Sequence, residues 1–482
     1  MSLTGALNAA MSGLKANTRA ASLISTNIAN ATNEAYGRRT MELSALGSGT
    51  RGGVLVAGVV RQSDPVLVAD RVVADSQLAG GSDMYAFAKR LETLVGESGT
   101  SGSLTDRITA FENALLSASS NPASAQRLEL VAVTATDLTN AINDLSFEVQ
   151  LARQTADTTI AKQVSTLNAA VSRLEVINDI VRKAEASGTE TASVLDERQA
   201  LLNEISSIVP LRVVEREHGQ IALFTQRGGI LLDGKAYEVG FSTTGSIDAA
   251  TTLGGGGLSG LTLNGTAIDP STNGMFAGGS LAAQFELRDV TAVNRQAELD
   301  GIARDLIERL GPGGPDTTLG ATDPGSFTDN GVAFVAANET GIAGRISLNA
   351  VLAPAGGGTW RIRDGIGAAA AGEVGDATLL QGIADALGAS NVPGSAALPS
   401  IARTFIDQVS QFSSSVAGER VRSENAFTFL SAQNRTLREM ELSKGVDTDQ
   451  ELQKLMQVEQ YYTANAKVIS TVDDLFERLL SI

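Results

Sequence analysis

Apolar residues recur every seven positions at both ends of the chain. Near the N-terminus Leu3, Ala10, Asn17, Ile24 and Ala31 form one set and Leu7, Leu14, Ala21 and Ile28 an interleaved one, apolar throughout except at Asn17. Near the C-terminus Leu455, Tyr462, Ile469 and Phe476 alternate with Val458, Asn465, Val472 and Leu479, again apolar but for one Asn. Two alternating sets at this spacing make an a/d stripe along one side of a helix, narrow enough to want a second helix as its cover. Burial on an ordinary core produces the same period. The placement of the stripes at opposite ends favours pairing with each other. A single Asn inside each seam is a device that sets register and partner number at a cost in stability; an Asn that faces water or caps a kink is the competing reading.

Between the ends the pattern changes in layers. The Asn-rich run Thr26-Asn27-Ile28-Ala29-Asn30 closes the first helix, and a Gly-punctuated segment to about Ala79, with a β-like run from Val54 to Val60, reads as an extended connector. From Met84 to Ile208 the period is helical. Met84, Phe87, Leu91, Leu94 and Val95 make one stripe; Leu104, Ile108, Phe111 and Leu115 make another. Asn121-Pro122 reads as an N-cap with Pro at the first helical position, and the helix it opens runs to a stop at Ser187-Gly188. At about 1.5 Å per residue that helix is a rod of roughly 90 Å, which needs a neighbour along its length.

After Pro210 the apolar residues cluster as short strands, Leu211 to Val214, Ile221 to Phe224 and Ile230 to Leu232, and the style returns near 332–334, 345–348 and 360–362 around a helix near 281–310. Helical period resumes from Ile401 to Leu442. These readings predict a mainly α chain with an inserted β-rich domain. Residues 1–80 with 443–482 form a terminal coiled-coil and connector layer, 81–209 with 399–442 a long-helix bundle, and 210–398 an outer β-rich domain. A chain that leaves and returns through the same layers puts its middle furthest from its ends.

Composition removes alternatives. In 482 residues, 43 % are hydrophobic but only 4 % aromatic, so cores are built from Ala, Leu, Val and Ile. A net charge of −17 disfavours nucleic acid or an anionic membrane as partner. The absence of Cys excludes thiol chemistry, and a single His leaves little for acid–base work. No run of eighteen apolar residues predicts a spanning helix, and the alternating N-terminal pattern does not read as a cleavable secretory signal. No cofactor and no metal are expected, and none of the candidate motifs for chemistry holds. Gly255-Gly256-Gly257-Leu258-Ser259-Gly260 has dinucleotide-loop spacing, yet strand and turn residues follow where phosphate binding needs a helix N-terminus. His218 falls in a hairpin turn without further ligands. Asp447, Asp449 and Glu451 lack a full calcium-loop pattern and suit a helix N-terminus instead. Trp360 is expected in a β core, and Arg38-Arg39 either meets an acidic neighbour or is solvated.

Two stretches carry a resemblance. Leu14 with Thr26-Asn27-Ile28-Ala29-Asn30 and Tyr36-Gly37-Arg38 is similar to the N-terminal signature of bacterial flagellar rod, hook and hook-associated axial proteins. Gly445-Val446-Asp447-Thr448-Asp449-Gln450-Glu451-Leu452, followed by Tyr462 to Thr471 with Asn465, resembles their C-terminal signature. On these matches Asn27, Asn30, Tyr36, Arg38, Gly445, Val446 and Asn465 are the signature residues. The helical region and the segment Val194 to Ile205 resemble the hook-associated member that joins hook to filament. The family commonly has Pro-Gly before the Tyr, where Glu34-Ala35 stands here.

The resemblance implies structural work, not catalysis: export without a cleaved signal through the flagellar type III apparatus, then self-assembly in a short zone through paired terminal helices. It implies the flagellar hook protein and the third hook-associated protein as partners, with an export chaperone. The terminal helices are expected to be largely disordered until assembly, because an isolated seam buries little. Another axial subunit, of hook-protein or flagellin type, is the near alternative, and an enzyme carried in the inserted domain the distant one.

Overall fold

The computed structural model describes residues 3–45 and 52–481. The first element, α1 (Leu3–Ala29), is followed by an antiparallel hairpin of β1 (Arg38–Ala45) and β2 (Val54–Gln62). The next helix, α2 (Pro65–Val95), begins well before the expected end of the extended connector at about Ala79. Its start is set locally: Asp64 accepts from the Val66 and Leu67 amides, and Pro65 occupies the first turn, where a missing N–H costs nothing. Gly80 and Gly81 sit within this helix where α6 and α10 approach it.

The helix α3 (Leu104–Ser120), capped by Ser103, leads into α4 (Ala125–Ser187), 63 residues and so about 95 Å long. Its N-cap is Ser124, whose hydroxyl accepts from the Arg127 amide; Asn121 instead ends α3, which leaves Pro122 in the turn rather than in the first helical turn. Gly188 stops the rod in the left-handed region, φ 68°, which a side chain would strain. A short helix, α5 (Ala192–Ser206), returns along its end.

Residues 210–398 mix small sheets with helices. The strands β3 (Leu211–Glu215), β4 (Ile221–Thr225), β5 (Ile230–Asp233) and β6 (Lys235–Ala236) form one antiparallel sheet, and β7 (Val239–Gly240), β8 (Leu261–Leu263) and β9 (Thr266–Ile268) another. Next come α6 (Ser280–Glu286) and α7 (Ala292–Arg309), one helical run joined by a π turn at Leu287–Thr291. The turn carries Arg288 to Asp157 on α4, 2.7 Å away, where both side chains are fully buried and Phe241 and Phe285 face the guanidinium. A two-stranded sheet, β10 (Phe327–Asp329) with β11 (Ile346–Leu348), precedes the helices α8 (Arg361–Asp364) and α9 (Thr378–Gly388). Trp360 is therefore not in a β core: it leads into α8, half-buried, with Arg361 over its ring. Residues 332–334 likewise contribute only an isolated bridge, at Val332.

The last two helices are α10 (Phe405–Lys444) and α11 (Thr448–Leu480). The chain as a whole is mainly α with small antiparallel sheets. Two apolar cores lie along α4. One packs its first half with α3, α7, α9 and the start of α10; the other packs its second half with α5, β3 to β5 and α6. The unbroken apolar stripe from Leu128 to Val149 and its continuation from Ile160 to Val181 are buried as the three-four spacing requires. Neither core takes a residue from α1, β1, β2 or α11.

Candidate assembly site at the terminal helices

The two end helices, hundreds of residues apart in sequence, lie against each other in antiparallel order. Asn27, near the end of α1, meets Glu451 in the first turn of α11, and Gly13 in the middle of α1 meets Asn465. Both helices advance by fourteen residues, two heptads, between those contacts. Gly13 permits the close approach, since a Cβ there would stand 2.8 Å from the Asn465 amide nitrogen.

Along the predicted seam Ala10, Ile24 and Val472 are buried. Leu3, Leu7, Leu14, Asn17, Ala21, Ile28, Leu455, Val458, Asn465, Ile469 and Phe476 are half-buried. Tyr462 and Leu479 are not covered by α1; they stand 45 % and 60 % exposed. An α-helix has 3.6 residues per turn and drifts from a strict seven-residue stripe, which moves positions in and out of a two-helix contact. The same drift brings Ala16, outside the predicted set, into the buried face. Asn17 keeps a buried amide nitrogen with no hydrogen-bond partner, and Asn465 packs on Gly13 rather than on Asn17.

At the open end of α1 a polar cluster ties both termini to the connector. The Asn27 amide nitrogen donates to the Arg39 carbonyl at 3.0 Å and to Glu451 at 2.9 Å, while its oxygen accepts from the Arg39 amide at 3.0 Å and the Tyr36 hydroxyl at 2.7 Å. Arg38 donates from two nitrogens to Glu451 at 3.0 and 2.8 Å, and Lys454 adds a third donor at 3.1 Å. Burial raises the Glu451 carboxyl, but the hydrogen bonds from Asn27, Arg38 and Lys454 outweigh it and hold its pKa below the ordinary value. Burial also raises the Tyr36 phenol, against the pull of Arg39, so that it stays protonated and donates to Asn27. The Arg39 guanidinium lies 4.9 Å from the Tyr36 ring centre. Asn30 closes α1 by donating to the Thr26 carbonyl at 2.9 Å.

A second carboxylate, Asp196 on α5, faces the connector from the helical body. It accepts from the Gly37 amide at 3.0 Å, from Arg39 at 2.7 Å and from Arg61 at 2.9 Å. Glu34, the first residue of the Glu34-Ala35 pair noted above, pairs with Arg438 of α10 at 2.7 Å. Gly445 and Val446 break α10 from α11 beside a cavity of about 320 Å³, and Asp447 caps the new helix by accepting from the Asp449 and Gln450 amides.

The sequence reading singled out Asn27, Tyr36 and Arg38 together, and the fold joins them within hydrogen-bond reach. It missed Glu451 and Asp196 as partners. Glu451 left a signal, because it continues the seven-residue set of Val458, Asn465 and Val472: an acid on an interface position needs a counter-charge. Asp196 left none, since its arginines are more than a hundred residues away in sequence. The arrangement binds helix to helix. Among the described residues no group of three His, Asp or Glu side chains is placed to hold a metal ion, and no helix is long and apolar enough to cross a membrane.

Comparison with known proteins agrees with this region and with the rod. Residues 88–311 match the family described as the flagellar hook-associated protein FlgK helical domain, and 442–482 match the flagellar basal body rod FlgEFG protein C-terminal family. Flagellar hook-associated protein 1 of Salmonella typhimurium is 28 % identical over 265 residues, covering 52 % of this chain and 46 % of that protein. The Escherichia coli protein of that name is 26 % identical, over 52 % and 47 % of the two chains, and the Bacillus subtilis one 24 %, over 48 % and 51 %. The chain thus spans about half the length of the curated relatives it matches. A solved structure, the flagellar hook junction protein FlgK from Burkholderia pseudomallei, superposes with a TM-score of 0.43 at 18 % identity, covering 54 % of this chain and 46 % of that one.

Proposed function

This chain belongs to the flagellar hook-associated protein family, whose members are structural and not enzymatic, and from that premise we propose that it forms the junction zone between hook and filament. Assembly proceeds through the terminal seams, with the Asn27, Tyr36, Arg38 and Glu451 cluster holding α1 and α11 in register. The observation that carries the proposal is the antiparallel pairing of the two end helices, locked at one end by that cluster. A chain whose two ends form one element can place that element at the axis of a tube and its middle outside.

On this reading we propose the division expected from sequence, a terminal coiled-coil and connector layer of 1–80 with 443–482, a long-helix bundle of 81–209 with 399–442 and an outer β-rich domain of 210–398 with an internal helix, save that α2 already joins the bundle from Pro65. Export delivers the chain outside the cell with the help of a chaperone. The hook protein lies on one side of the zone and the third hook-associated protein on the other. Tyr462 and Leu479, left uncovered by α1, are then free for contacts with neighbouring copies.

The test is addition of the purified chain to isolated hooks that lack filaments, with electron microscopy of the tips and a version lacking α1 and α11 as control. A short, self-limiting zone that needs both helices is the expected result. Long polymer growth identifies a hook or filament subunit instead, and no binding overturns assembly through the ends.

A further inference from the structure

We infer that the body between α2 and α10 opens as two cooperative halves, and that the boundary between them is a buried layer of charge in the middle of α4 rather than a loop. The body spans residues 65–444, well beyond the ~250–300 residues at which a single apolar core stops growing. Its two cores have no residue in common. The division between them does not follow the order of the chain, because it cuts across three helical stretches. On α4 the first core ends at Ala156 and the second begins at Ile160. On α2 Val72 belongs to the second core and Phe87 to the first. The run of α6 and α7 gives Phe285 to the second core and Leu287 to the first, with the π turn at the change.

Polar side chains fill the change-over. Arg153, Asp157 and Arg288 are all fully buried there. Asp157 accepts from Arg288 at 2.7 Å and from the Thr244 amide at 2.8 Å. Arg153 donates to the Arg288 carbonyl, part of the π turn, at 2.9 Å and to the Asp248 carbonyl at 2.8 Å. Arg288 also reaches the Ser259 carbonyl at 2.9 Å and the Asp289 carboxylate at 2.7 Å. Between α2 and α6 the Ser280 hydroxyl donates to Asp83 and accepts from Gln163 of α4 at 2.6 Å. These charges have partners, so the layer holds together, yet it couples the halves less than apolar packing does. A buried ion pair is often no more stabilising than apolar side chains of the same volume, because of the cost of taking both charges out of water. When one half opens, that cost is returned as the charges are hydrated. The half that stays closed then shows water a charged end instead of a bare apolar face, and its own core keeps every contact. The layers proposed above say where a segment lies; the halves say which segments open together.

Native-state amide exchange on the full chain in rising urea, below the unfolding transition, tests this. Amides from Leu128 to Val149, with those of α3 and α7, should share one opening free energy and urea slope. Those from Ile160 to Val181, with α5 and β3 to β5, should share another, so that the change falls between Val149 and Ile160 inside one unbroken helix. Leu138 and Leu167 are fully buried, one in each core. Leu138→Ala should lower protection in the first half by at least about 30-fold and in the second by less than about threefold, and Leu167→Ala should do the reverse. Where an Ala variant does not fold, Ile142→Val and Ile205→Val carry the same comparison, with about fivefold expected in the substituted half. One slope along the whole of α4, or a substitution felt equally in both halves, overturns the inference. A change at Pro210 with all of α4 in one group also overturns it, and makes the layers themselves the units.

Discussion

Replacing Glu451 with Ala should loosen the terminal pairing and leave the rest of the molecule intact. The Glu451 side chain is 2 % exposed and accepts hydrogen bonds from Asn27, Arg38 and Lys454. Removing one partner of a buried ion pair costs ~3–5 kcal/mol, largely because the other charge is stranded. Arg38 and Lys454 keep access to water here, with 20 % and 42 % of their side chains exposed, so less of that penalty applies. The loss of hydrogen bonds to a charged group sets the scale instead, about 2–3 kcal/mol for the site as a whole. At about 1.4 kcal/mol per tenfold, this corresponds to roughly a 30- to 150-fold change in the opening equilibrium. Amide hydrogen exchange on the assembled chain, in which the terminal helices are ordered, reads it directly. Protection in α1 and along Leu455 to Val472 should fall by that factor, and protection along α4 should not, because no core residue is shared. The pH profile gives a second readout. The folded pKa of Glu451 lies below its unfolded value, so its contribution is complete above ~4.3, the unfolded value, and is lost as pH falls through the folded one. The native pairing of α1 with α11 should therefore open in acid, and Glu451→Gln should remove that dependence. Unchanged protection in α11, or an equal loss throughout α4, would refute the assignment of Glu451 as the lock.

Asp83 should behave in the opposite sense. Burial pushes its carboxyl up against the pull of hydrogen bonds from Ser280 and Gln284, so stability falls as pH rises from the unfolded value through the folded one. Asp83→Asn should raise the melting temperature at pH 7 in scanning calorimetry, with the gain shrinking towards acid. Gly13→Val should push α11 away, at a cost of about 1–3 kcal/mol by overpacking, and Asn465→Ala should restore part of the exchange protection. Asn17→Leu with Asn465→Leu should strengthen the helix pair, since Asn17 buries an unpartnered amide, yet yield misregistered polymer under electron microscopy. Normal polymer from that double variant would remove any register role.

Much of the architecture was legible because it rests on local chemistry. The amphipathic period of α1, α4 and α11, the stop at Gly188 and the strands after Pro210 each follow from spacing or backbone preference within a few residues. The mistakes were also local, where two signals competed. The segment to about Ala79 read as connector, but Asp64 and Pro65 start a helix within it and packing against α6 and α10 carries that helix through Gly80 and Gly81. Asn121-Pro122 offered a cap, but Ser124 took the role once α3 had claimed Asn121 as its end. Near Trp360 a run of β-forming residues became a short helix, since a three-residue stretch carries too little preference to resist its surroundings.

The candidate site divides the same way. Periodicity alone marked the end helices as partners in need of cover, and an Asn in each seam is visible in any reading of the chain. Their direction and register were not, because a seven-residue stripe fits a partner running either way and shifted by any heptad. Those choices fell to Gly13 against Asn465 and to Asn27 against Glu451, contacts across more than four hundred residues. The same holds for Asp196: a carboxylate on a helix surface is ordinary until the fold sets two arginines from a distant hairpin over it. Burial and pairing of charge depend on distances that only the folded chain creates, which is why the helices were written in the sequence and the lock between them was not.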